Sequence, residues 1–97
     1  MELKHLVDEC HDIALSKGWW DKSREDGTCI ALMHSELSEA LEEMRGANNK
    51  NAIGMELGDV CIRIFDYCGR NKIDLEDCIL RKCEINKGRP NRHNKRF

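Results

Sequence analysis

The sequence predicts an all-α fold, an antiparallel bundle of about four helices completed by homodimerisation. Three observations lead there. Apolar residues recur at spacings of three and four in four separate segments. One Pro and seven Gly leave too little punctuation for the many turns of an all-β sandwich. At 97 residues the chain is one domain, of a size that buries only about 60–65% of its unfolded surface, so a partner subunit is expected.

The first helix carries Leu3, Leu6, Val7, Cys10, Ile13 and Ala14 at helical spacing, with Gly18 as its stop. The segment from Trp19 to Gly27 is polar apart from its two Trp and reads as a connection. Ser23, Asp26 and Thr28 are alternative N-caps for the second helix, which carries Ile30, Met33, Leu37, Ala40, Leu41 and Met44. Gly46-Ala47-Asn48-Asn49 reads as a tight turn. The third helix carries Ile53, Leu57, Val60, Cys61, Ile64 and Cys68 and ends near Gly69. Met55, Ile62 and Phe65 lie on its other side, so it is expected to be central or at a subunit interface. The fourth helix starts at an Asp74 cap, carries Leu75, Ile79, Leu80 and Cys83, and stops at Gly88-Arg89-Pro90.

Composition excludes several function classes. No apolar run approaches the roughly 20 residues that span a bilayer. The first eight residues place acids where a signal peptide is basic and then apolar, so a cytoplasmic location is expected. In that reducing compartment the six Cys, with no CxxC pair, read as small core hydrophobes. No Walker loop, dinucleotide-binding glycine fingerprint or HExxH is present.

The formal charge of -2 hides an asymmetry. Residues 86–97 hold five bases and no acid; removing those five from the total of 16 leaves 11 bases against 18 acids in residues 1–85, a balance of -7. An acidic body argues against nucleic-acid binding by the body itself. In the tail, Lys82, Asn86 and Arg89 can share one helix face, with Arg92 beyond, and suit phosphate oxygens. A solubilising or nucleic-acid-touching terminus is the alternative reading. Trp19 and Trp20 offer flat faces for a base, or serve as anchors with one ring facing in and one out. His5 and His11 have no evident partner in the sequence.

The strongest chemical signal is a mirrored set of acids. Glu36 and Glu39 are three apart on the second helix, and Glu56 and Asp59 three apart on the third. That separation puts each pair on one helix face. The pairs 36/59 and 39/56 share one midpoint, inside the 46–49 turn. If the helices form a hairpin, Glu36 stands level with Asp59 and Glu39 with Glu56, beside the apolar seam. Glu43 and Asp66 lie near the same edges. Converging carboxylates repel unless cations are present, and such hard oxygen donors suit Mg²⁺ or Mn²⁺. Solvated surface acids are the simpler alternative.

Glu36-Leu37-Ser38-Glu39-Ala40, then fifteen residues, then Glu56-Leu57-Gly58-Asp59-Val60 resembles the MazG-like nucleotide pyrophosphohydrolases, all-α NTP pyrophosphatases of the short single-domain type. The stretch Lys82-Cys83-Glu84-Ile85-Asn86-Lys87-Gly88-Arg89-Pro90-Asn91-Arg92-His93 is similar to the end of such proteins. The resemblance runs from about Trp19 to the end. It implies a helical bundle completed as a dimer or dimer of dimers. It implies Mg²⁺-dependent cleavage of a nucleoside triphosphate to the monophosphate and pyrophosphate, with nucleotide-pool cleansing as the role. Glu36, Glu39, Glu56 and Asp59 match its metal and catalytic positions. Ser35 stands where the family often has a further Glu, which leaves room for a non-catalytic nucleotide- or metal-binding module, and the basic tail for a small nucleic-acid-binding regulator. Lys82, Arg89 and Arg92 are the phosphate candidates, with Trp19, Trp20 and Asn86 for base or sugar.

Overall fold

The computed structural model describes residues 2–90 as four α-helices. They are α1 (Leu3–Ser16), α2 (Asp26–Arg45), α3 (Lys50–Arg70) and α4 (Leu75–Lys87). No strand occurs among the described residues. α1 and α2 both pack on α3 rather than on each other, so α3 is the central helix of the bundle.

Each helix end has an identifiable cause. α1 closes in a Schellman motif: Trp19 N–H donates to Ala14 O at 3.1 Å and Gly18 N–H to Leu15 O at 3.2 Å. Gly18 takes φ +84°, a conformation that strains residues with a Cβ. α3 closes the same way, with Ile73 N–H on Cys68 O at 2.9 Å, but Lys72 occupies the left-handed position at φ +57°. The helix therefore runs past Gly69 to Arg70. Between α2 and α3 the left-handed residue is Asn48, at φ +53°, rather than Gly46. Asn49 then caps α3 by accepting from Ala52 N–H at 3.0 Å. Asp74 caps α4 by accepting from Asp77 N–H at 3.1 Å. α2 begins at Asp26 behind Glu25, which makes no side-chain cap bond. Asp26 instead lies close enough to the Tyr67 hydroxyl to raise the Tyr67 pKa, which brings the start of α2 beside the end of α3.

Gly69 does not stop α3; it admits α1. A Cβ built there would lie 2.7 Å from His11 Cβ and 3.5 Å from Val7 O. That close approach brings His11 Nδ1 to within 2.8 Å of Asp66 Oδ1. The partner that the sequence does not disclose for His11 is thus Asp66, three residues before Gly69 on α3. The start of α1 is tied to α4, where Leu3 N–H donates to Glu76 Oε1 at 3.1 Å; a carboxylate at a helix N-terminus also faces the positive end of the dipole.

The core is small. Val7, Ala14, Cys29, Ala40 and Cys68 are its buried apolar residues. Cys29 and Cys68 are core residues as the composition predicts, but Cys61 and Cys83 are exposed, and all six thiols are free. Cys61 shares the apolar spacing of α3 yet is exposed. Ile30, Leu37, Leu41, Met44, Leu57 and Leu80 are exposed as well. No helix among the described residues is long and apolar enough to cross a membrane.

Gly69→Ala should lower stability by about 1–3 kcal/mol through overpacking against His11. Gly54→Ala, whose Cβ meets nothing within 4 Å, should raise it by about 0.5–1 kcal/mol through helix propensity. Urea unfolding of both variants checks the pair.

Candidate functional site

The α2–α3 hairpin places the mirrored acids together. One carboxylate oxygen from each of Glu36, Glu56 and Asp59 lies within 4.8 Å of the other two. Glu36 and Glu56 are half-buried and Asp59 is exposed. Glu39, one turn along α2 from Glu36, is exposed and stands outside this trio. It is still felt there, because the Glu56 pKa is raised above the ordinary carboxylate value. Partial burial is the first cause, followed by the charges of Asp59, Glu39, Glu36 and Glu43. Glu43 is thus a contributing neighbour, whereas Asp66 is engaged elsewhere.

Asp66 organises the two tryptophans. Its Oδ1 accepts from Trp20 Nε1 at 2.9 Å as well as meeting His11. His11 and Asp66 are both largely buried. Trp20 is half-buried, with the Arg70 guanidinium 4.9 Å from its ring centroid. Trp19 is more exposed and carries the guanidinium groups of Arg24 at 4.9 Å and Arg63 at 4.3 Å. The adjacent rings therefore divide as one facing in and one out. Trp19 lines a cavity of about 260 Å³ together with Glu36, Asp59, Arg63 and the apolar Ile13 and Ile62. The connection after α1 thus returns over α3 to the acid site.

Arg63 is the site residue that sequence reasoning missed. It donates from Nε at 3.1 Å and from Nη2 at 3.0 Å to Oε1 of Glu36. Its position four residues after Asp59, on the same α3 face, was the available signal.

The tail residues are not brought to the acids of their own chain. Lys82, Asn86 and Arg89 are exposed, on or just after α4. α4 leaves from the far end of α3, about 17 Å along the helix from Asp59 at 1.5 Å per residue. It touches α1 and does not pack along α2 or α3. Arg92 lies outside the described residues.

No protein-family model, no curated protein and no solved structure matches the chain.

The raised Glu56 pKa has a definite sign for stability. Ionised Glu56 opposes folding above its folded pKa, and that opposition fades as pH falls to the unfolded value. Glu56→Gln should therefore raise Tm at neutral pH without divalent ions. The gain should shrink to nothing below the ordinary carboxylate range. Thermal melts of both proteins across pH test this.

Proposed function

We propose that this chain is a MazG-like nucleoside triphosphate pyrophosphohydrolase, homodimeric or a dimer of dimers, that cleaves a (d)NTP to the (d)NMP and pyrophosphate in nucleotide-pool cleansing. The observation that carries the reading is the convergence of Glu36, Glu56 and Asp59 from two motifs across one hairpin.

The donor set fits a hard divalent cation. Neighbouring oxygens around Mg²⁺ lie about 3 Å apart, given Mg–O of about 2.1 Å. Small side-chain rotations bring oxygens now within 4.8 Å to that spacing. Glu36, Glu56 and Asp59 would hold Mg²⁺, or Mn²⁺ with the same donor preference. When bound, the ion supplies charge neutralisation at the phosphates and lowers the pKa of water.

The chain's own residues do the rest. Glu39, exposed beside the trio, takes the proton of the attacking water. Attack at the α-phosphorus breaks its bond to the bridging oxygen, and pyrophosphate departs with that oxygen. The raised pKa of Glu56 reflects partial burial and the neighbouring carboxylates, a crowding of negative charge that a bound cation would relieve. The exposed Trp19 ring offers a face to the base, while Trp20 supports it from its bond to Asp66.

A second copy supplies two things in this reading. It covers apolar surface that one chain leaves open, chiefly a groove of about 400 Å³ lined by Leu37, Leu41, Met44 and Leu57. It also brings Lys82, Asn86 and Arg89 to the phosphates or sugar of its partner's site, since α4 starts at the end of α3 remote from the acids and does not pack along α2 or α3; Arg92, outside the described residues, belongs to the same proposed set.

With Mg²⁺ and a panel of NTPs and dNTPs, Asp59→Asn and Glu39→Gln should each lower pyrophosphate release by about 100-fold or more. Unchanged turnover in both variants would sink the mechanism. Nucleotide-dependent stabilisation of the wild type with no pyrophosphate from any nucleotide would select the binding-module reading. For assembly, Leu41→Arg should shift the sedimentation coefficient from dimer to monomer; a monomeric wild type would refute the dimer.

A further inference from the structure

Arg63 stands between the acid trio and Trp19. Its two hydrogen bonds to Glu36 converge on one oxygen, Oε1, so Oε2 of Glu36 lies outside the pair. Both side chains are largely buried, at 23% and 20% exposure. The Trp19 ring also holds the guanidinium, 4.3 Å from its centroid, through the attraction of a cation for an aromatic face. Arg63, Glu36, Asp59 and Trp19 all line the same cavity of about 260 Å³. A cation and three acids, Glu36, Asp59 and Asp66, thus share one cavity wall, and among the described residues no tail residue joins them.

We propose that Arg63 is a phosphate-binding residue held in store by Glu36: it pairs with that carboxylate in the empty site and passes to a substrate phosphate when a divalent cation takes the carboxylate. The proposal rests on the pyrophosphohydrolase reading and deepens it by naming the residue of the same chain that receives the polyphosphate.

The chemistry follows from charge and shape. A divalent cation on Glu36 weakens the attraction of that carboxylate for the guanidinium. The planar guanidinium presents several N–H donors in a fork that matches phosphate oxygens as well as it matches carboxylate. Trp19 restrains the group during the exchange, so the donors stay at the cavity. Arg63 therefore opposes metal binding and favours phosphate binding. A residue that merely supports the fold would act on both in the same direction.

The experiment measures the two affinities separately by calorimetry, using the full chain. The probes are Mn²⁺ alone and inorganic tripolyphosphate with saturating Mg²⁺, with circular dichroism as the folding control. Arg63→Gln should bind Mn²⁺ about threefold tighter, since a competing positive charge is gone. It should bind Mg²⁺–tripolyphosphate about tenfold more weakly. Arg63→Lys should recover part of the tripolyphosphate affinity, as a point charge without the fork. Unchanged tripolyphosphate affinity in Arg63→Gln overturns the proposal. So does a loss of both affinities that Arg63→Lys does not relieve, which marks a structural role. In either case, Mn²⁺ binding and pyrophosphate release by the wild type leave the underlying reading standing. A wild type that binds neither probe overturns the reading and the proposal together.

Discussion

The pairing of α2 with α3 is the constraint on which the site depends. Two helices joined by a four-residue turn have almost no freedom of register. Asn48 in the left-handed conformation and the Asn49 cap fix where α3 begins. Tyr67 beside Asp26 marks the far end. Between those points, acids separated by twenty residues or more are forced onto one level. Partial burial and then mutual repulsion work against their charges, and both raise the Glu56 pKa. Arg63 offsets part of the repulsion by occupying Glu36. The site is held together by the hairpin in spite of its charges.

Much of this was legible beforehand, for local reasons. Helix spans follow from apolar spacing, and the ends at Gly18, Asn49, Asp74 and Gly88 follow from capping chemistry, which acts over a few residues. The convergence of Glu36 with Glu56 and Asp59 was legible because a short turn converts sequence arithmetic into spatial level. What escaped was nonlocal. His11 finds Asp66 only because Gly69 lets α1 come close. Arg63 reads as one more charge on α3 until α2 is placed beside it. The departure of α4 from the acids is a matter of tertiary direction, which the spacing of Lys82, Asn86 and Arg89 does not encode. Periodicity also misjudged Cys61, because a helical stripe marks a face suited to burial and not the presence of a neighbour to bury it.

The small core and the site have one origin. α1 and α2 both spend their apolar faces on α3, and little remains between them. The buried positions are filled by small residues, Ala14, Ala40 and two Cys among them, so the helices approach closely. Larger apolar residues such as Leu37 and Leu41 are left outside. A chain built this way has its acids near the surface and several of its larger apolar side chains turned outward.

The two tryptophans are the only ones in the chain, and both sit on the connection that folds back over Arg63 and Asp66. Their surroundings differ: Trp20 donates to a carboxylate in a half-buried setting, while Trp19 lies open to solvent beneath two guanidinium groups. The chain's tryptophan emission therefore originates beside the acids and from nowhere else. Whatever moves Arg63 or fills that cavity changes what quenches Trp19, so the protein carries its own optical probe of the occupied and empty states, without a label.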